Sequence, residues 1–188
     1  ADLLTRGKRG NPVIPCRQHC SLKRFKLGLG FESIDKNPKV IAYHIAFGNL
    51  QVLLDRNDQA LKTFEDAMAL FPRNVPLVIT YGERLLELDN PTKAHDILLD
   101  LLNNVPPTPN QVRLIARAAS EAGENAESLY YLSEYRLMMG DLVGGINHLQ
   151  QALRLPDLKE IQRIRFEARI DFIREYMTEE QLRYLQRS

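Results

Sequence analysis

A helical stripe that recurs after 34 residues is the feature that most constrains the fold of this chain. Ala60, Phe64 and Ala67 lie three or four residues apart, so they share one face of a helix. Pro72 then prevents continuation, because it lacks an amide donor and clashes with the preceding turn. Adding 34 to each number gives Ala94, Leu98, Leu101 and Pro106. The chain is therefore predicted to repeat one 34-residue unit.

The helix before each stripe repeats at the same interval. Phe47 and Gly48 correspond to Tyr81 and Gly82. Glycine at this position lets the two helices of a pair approach closely, and the alanines of the stripe meet the same need from the facing helix. A single pair cannot bury its apolar face, so neighbouring pairs are expected to stack.

This period and these residue types resemble the tetratricopeptide (TPR) repeat. The resemblance implies an all-α, right-handed solenoid of antiparallel helix pairs, ended by a C-terminal capping helix. The helix that follows the half repeat also fits as the first helix of the last unit, in which Ser133 and Ala152 take small-residue positions. One helix is therefore predicted to serve two repeats. The predicted repeat domain covers 38–188. Its units are 41–74, 75–108, a half repeat at 109–125, 126–157, and capping helices over 158–187.

The capping helix is predicted from an apolar period near the C-terminus. Its expected buried face, which covers the end of the solenoid, consists of Leu158, Ile161, Ile164, Ala168 and Phe172. Thr178 and Gln181 have the spacing of a capping box, which predicts a short final helix.

Residues 1–37 do not fit the repeat. They contain eight Lys and Arg against three Asp and Glu, although the whole chain has a net charge of only +1. No nucleic-acid motif accompanies this charge, so a basic extension or lead-in is the interpretation. Cys16, His19 and Cys20 leave three alternatives: free thiols, a disulfide, or part of a zinc site, although zinc needs four ligands. The chain has no run of 18 apolar residues and no apolar leader, so no membrane span or signal peptide is expected.

No catalytic constellation is recognised, so the chain is not expected to be an enzyme or to hold a metal or cofactor. Binding is instead expected on the first helices of the pairs, which line the concave face of a TPR domain. The inward register positions are Asn49, Glu83, Glu87, Arg113, Arg117, Tyr130 and Glu134. The Asn and Arg side chains can hydrogen-bond an extended peptide backbone or its carboxylates, and Tyr130 can add amphipathic contact area. The alternatives are that they are ordinary solvated residues, or that Tyr130 is buried against the tail helix.

The C-terminal half resembles the TPR region of BepA-type periplasmic zinc metalloproteases, most specifically in "QRIRFEARIDFIR" from Gln162 to Arg174. The resemblance implies a periplasmic protein of outer-membrane quality control, whose TPR domain binds substrates, chaperone clients or the assembly machinery. It also implies zinc in a separate protease domain. No histidine here is followed by Glu, so no His-Glu-x-x-His residue can be transferred. The alternative is a self-association or scaffold module without a peptide groove, paired through an exposed face that includes Phe166 and Ile170.

Overall fold

A computed structural model describes residues 28, 30 and 32–185. Within them every regular element is helical and no strand occurs, which confirms the all-α, TPR-like solenoid class. The helices are α1 (Ile41–Leu53), α2 (Asn57–Leu70), α3 (Val75–Glu87), α4 (Pro91–Leu102), α5 (Pro109–Glu121), α6 (Asn125–Met138), α7 (Leu142–Leu153), α8 (Glu160–Arg174) and α9 (Glu179–Leu185). None of these helices has the length and apolarity required to cross a membrane.

The chain divides into two compact units, Ala1–Thr63 and Phe64–Ser188. The first unit contains α1 and the beginning of α2. Its buried residues include Phe47 and Gly48 on α1, and Ala60 on α2 is fully buried. His44 is also buried, with its Nε2 2.8 Å from the carbonyl oxygen of Pro38, so a hydrogen bond compensates its burial.

The second unit is built from helices that pack in sequence order. Helix α3 contacts α4, α4 contacts α5, and α3 also contacts α5, which makes α3 and α5 neighbouring first helices of two pairs. Further along, α5 packs on α6, α6 on α7, and α7 on α8. Only a few residues connect each of these helices to the next. Short connections join helices that pack as antiparallel neighbours.

The repeat stripe of the second unit lies in its core. Phe64, Ala67, Ala94 and Leu98 are all 0% exposed. A Cβ atom added to buried Gly82 would lie only 3.1 to 3.2 Å from three carbon atoms of Leu98. Glycine at this position therefore permits the close packing of α3 on α4. Ala152 is also fully buried, whereas Pro72 and Pro106 are exposed beyond the ends of α2 and α4.

The predicted buried face of the tail helix is wrong. Ile161, Ile164 and Phe172 are 72%, 54% and 47% exposed, and Ala168 is exposed as well; only Leu158 is partly buried. Helix α8 carries a second apolar face, and this second face packs against α7 and contributes to a core of Ile146, Leu149, Ala152, Phe166, Ile170 and Ile173.

The same finding corrects the expected self-association face. Phe166 is 0% exposed and Ile170 is 5% exposed, so neither can contact a second copy while the domain is folded. Both side chains contribute to the core that α7 and α8 share.

The short final helix begins as the sequence predicts. The backbone amide of Thr178 donates to Oε1 of Gln181 at 2.9 Å, and the amide of Gln181 donates to the Thr178 hydroxyl at 3.3 Å. These reciprocal bonds satisfy two amides that the first turn of α9 leaves without helical partners. Met177, just before this helix, and Leu185, its last residue, pack on the core of α7 and α8.

Candidate functional site

A groove of about 710 Å³ lies along α3 and α5, and we call it the α3–α5 groove. Four residues of the predicted binding face line it together: Glu83, Glu87, Arg113 and Arg117. The two glutamates are one helical turn apart on α3, and the two arginines are one turn apart on α5. Helices α3 and α5 are in contact. The α3 wall carries Glu83 and Glu87 together with Arg84, which pairs with both, and the α5 wall carries the two arginines.

The remaining lining residues were not expected from the sequence: Ile79, Arg84, Asn110, Gln111 and Leu114. Ile79 and Leu114 are partly buried and add apolar surface. Ile79 precedes Glu83 by four residues, and Leu114 precedes Arg117 by three. The helical period could have identified both, because residues at these spacings share a face.

The cations of the groove differ in how far they are already paired. Arg84 donates from Nη1 to Glu87 at 2.6 Å, and its buried Nε has no hydrogen-bond partner among the described residues. Arg117 donates from Nε to Glu121 at 2.7 Å. Arg113 is exposed and forms no ion pair within the described part of the chain. Arg113 is therefore the groove cation most available to an incoming carboxylate.

Tyr130 and Glu134, also predicted for the binding face, are engaged by α8 instead. The ring of Tyr130 stacks on Phe166 with centroids 5.5 Å apart, and the Arg165 guanidinium lies 4.3 Å from the Tyr130 ring centre. Burial raises the pKa of Tyr130. Glu134 accepts two hydrogen bonds from Arg169. The alternative that Tyr130 packs against the tail helix is thus the observed arrangement.

Asn49 belongs to the first unit and cannot be assigned to the α3–α5 groove. Its side chain is partly buried, and its Oδ1 has no hydrogen-bond partner in the described part of the molecule. Its role in binding stays a prediction.

Zinc binding is one alternative for three residues near the N-terminus. Cys16, His19 and Cys20 fall outside the described residues, so their three alternatives stay open. In the described part, no group of three or more His, Cys, Asp or Glu residues is arranged to hold a metal ion.

A tetratricopeptide repeat family profile matches residues 52–118, a range that includes every residue lining the α3–α5 groove. No curated protein matches this chain in sequence. The match and the helix packing together support a TPR repeat domain in this chain.

Solved structures are similar to the chain at the level of the fold. MamA 41-end from Desulfovibrio magneticus RS-1 has 13% identity and a TM-score of 0.55, with 84% of this chain and 89% of that chain covered. Another crystal structure of MamA has 8% identity and a TM-score of 0.56, with coverages of 89% and 98%. A thermophilic TPR protein from Thermus thermophilus has 18% identity and a TM-score of 0.45, with coverages of 80% and 93%.

Proposed function

We propose that this chain is a protein-interaction module whose α3–α5 groove binds an extended segment of a partner protein. The carrying observation is the groove itself, in which Glu83 and Glu87 line α3 and Arg113 and Arg117 line α5. Stacked helical repeats provide extended binding surfaces of this type. A preformed groove requires little ordering of the receptor, so less binding free energy is lost.

The charges and apolar residues define the bound segment. Arg113 has no ion-pair partner among the described residues, so its guanidinium group can donate hydrogen bonds to a carboxylate of the ligand. Ile79 and Leu114 provide apolar contact. The favoured ligand is therefore an extended segment in which Asp or Glu alternates with apolar residues.

The proposal is tested with fluorescein-labelled twelve-residue peptides in which apolar residues alternate with Asp, Gln or Lys. Fluorescence anisotropy should show the tightest binding for the Asp peptide. Arg113→Glu and Arg117→Glu should each weaken it at least fivefold, because each replaces attraction by repulsion. Arg154→Glu is the matched control, since Arg154 is exposed at the end of α7, away from the groove. Unchanged binding by both groove variants would refute the assignment.

For the parent protein, we propose a periplasmic zinc metalloprotease or chaperone of the BepA type. The support is the sequence resemblance that is strongest between Gln162 and Arg174. Zinc and catalysis would reside in a separate domain. The coding sequence surrounding Ala1 tests this proposal: a signal peptide and a His-Glu-x-x-His segment are expected, and a gene lacking both contradicts it.

A further inference from the structure

Arg84 lies between the two carboxylates of the α3 wall. Its Nη1 atom is 2.6 Å from Oε2 of Glu87, and its Nη2 atom is 3.9 Å from Oε2 of Glu83. Within the described part of the chain, neither glutamate forms an ion pair with any other residue. A single guanidinium group therefore serves both carboxylates of this wall.

The order of residues on α3 explains this arrangement. Glu83 and Glu87 are four residues apart, so they are neighbours on one helix face, where two like charges repel each other. Arg84 directly follows Glu83 and precedes Glu87 by three residues, so its long side chain can reach both. A guanidinium group carries donors on separate nitrogen atoms, which allows it to serve two acceptors at once.

The burial of Arg84 shows that the two glutamates determine its orientation. The Arg84 side chain is 26% exposed, whereas those of Glu83 and Glu87 are 47% and 46% exposed. Its Nε atom is buried and has no hydrogen-bond partner among the described residues. Because a buried donor without an acceptor is unfavourable, the position of the guanidinium group is explained by the carboxylates and not by a bond from Nε.

The ion pairs divide the charges of the groove into those already engaged and one that is free. The lining contains three arginines and two glutamates. Arg84 engages both glutamates, and Arg117 donates to Glu121, which is not among the lining residues. Arg113 alone forms no ion pair in the described part of this lining. Without Arg84, the two glutamates would repel an acidic ligand or pair with Arg113, and either effect would weaken binding of that ligand.

We propose that Arg84 is the residue that sets the charge preference of the α3–α5 groove. By engaging Glu83 and Glu87, it leaves Arg113 available to a carboxylate of the ligand. This role rests on the proposed binding of a peptide in the same groove, and it names the residue that makes the binding selective for an acidic segment. Because Arg84 acts through the glutamates, it is a positioning residue.

Arg84→Met tests the proposal with the Asp, Gln and Lys peptides and fluorescence anisotropy. Methionine is uncharged and has a helix propensity close to that of arginine. The Asp peptide should bind about fivefold more weakly and the Lys peptide about fivefold more tightly than they bind the wild type. The preference of the groove should therefore be inverted, whereas a loss of structure would weaken all three peptides.

Removal of the two carboxylates should restore the original preference. In the Arg84→Met background, Glu83→Gln combined with Glu87→Gln should return the affinity for the Asp peptide to within about twofold of the wild type, because no unpaired carboxylate remains on α3. Arg174→Met is the matched control. Arg174 also pairs with a carboxylate three residues away, that of Asp171 at 3.1 Å, but it lies on α8, which does not line the groove. This control should leave all three affinities unchanged.

The outcomes separate this proposal from the groove proposal. If the wild type prefers the Asp peptide, the role of Arg84 is overturned by an Asp preference that persists in Arg84→Met, by an equal loss of all three peptides, or by a triple variant that does not regain the Asp peptide. A wild type that binds none of the peptides, or binds all three equally, would refute the acidic segment as the ligand of the groove and the role of Arg84 with it.

Discussion

The guanidinium group of Arg169 on α8 donates a pair of 2.7 Å hydrogen bonds to the two carboxylate oxygens of Glu134 on α6. Both side chains are mostly buried, at 31% and 22% exposure. The bonds to Glu134 raise the pKa of Arg169 above its usual range. Such bidentate pairs are directional, so this contact fixes the register of α8 on α6.

The Arg169–Glu134 pair should therefore contribute measurably to stability. Arg169→Ala and Glu134→Ala are each expected to cost about 1–3 kcal/mol, because each leaves a mostly buried charge without its partner. In a double-mutant cycle by urea denaturation, the coupling should be about 1–2 kcal/mol. The exposed Arg183–Glu179 pair of α9 is the control and should couple by less than about 0.5 kcal/mol. Equal coupling in both pairs would contradict the role assigned to Arg169.

The repeat packing could be predicted from the sequence, whereas the buried face of α8 could not. The 34-residue period identified the Gly82 and Leu98 stripe because each position has a repeated equivalent. Helix α8, in contrast, carries two apolar faces, one through Ile164 and one through Phe166. A hydrophobic period cannot choose between them. The choice depends on the match of Arg169 to Glu134, a contact between residues 35 positions apart.

The binding face was partly predictable for a related reason. The register of a first helix places Glu83 and Arg113 on an inward face, and both line the α3–α5 groove. The same register selects Tyr130, but it contains no information on whether a later helix covers that face. In this chain α8 covers it through Phe166.

Gly82→Ala should destabilise the protein by about 1 kcal/mol. The new methyl group would meet Cγ and both Cδ atoms of Leu98 at 3.1 to 3.2 Å, so a rotation of the Leu98 side chain cannot relieve all contacts. Overpacking of this kind costs about 1–3 kcal/mol, and the middle of that range exceeds the gain of about 1 kcal/mol for Ala over Gly inside a helix. Urea denaturation measures the difference.

The Leu98→Ala background is the control for this prediction, because it removes the contacting atoms. There, Gly82→Ala should raise the free energy of unfolding instead of lowering it. If Gly82→Ala has the same sign in both backgrounds, the close approach of α3 to α4 does not explain the glycine.

Asn74→Ala should weaken the start of α3. The Oδ1 atom of Asn74 accepts a hydrogen bond from the backbone amide of Leu77 at 3.2 Å, which satisfies an amide that has no helical partner. Loss of such a cap costs about 1 kcal/mol. Asn74→Asp retains the acceptor and should stay within about 0.5 kcal/mol of the wild type. Thermal unfolding followed by circular dichroism compares the variants, and equal losses in both would exclude capping as the cause.

Tyr131 should make stability fall at alkaline pH. Burial, assisted by the negative charge of Glu127, raises the pKa of Tyr131 to about 12. In the unfolded chain this phenol ionises near pH 10. The unfolded state therefore loses its proton first, so the stabilisation is complete below pH 10 and disappears as the pH rises towards 12. At pH 11 the loss from this residue should be about 1.4 kcal/mol.

Tyr131→Phe removes the ionisation while retaining the ring. The free energy of unfolding of this variant should fall less steeply between pH 9 and pH 11 than that of the wild type, by about 1.4 kcal/mol. Tyr184→Phe is the matched control, because Tyr184 is 60% exposed on α9, and it should have the wild-type slope. Absorbance of tyrosinate provides an independent measurement, in which Tyr131→Phe should remove one group that ionises near pH 12 in the folded protein. Parallel alkaline slopes for Tyr131→Phe and the wild type would show that Tyr131 ionises equally in both states.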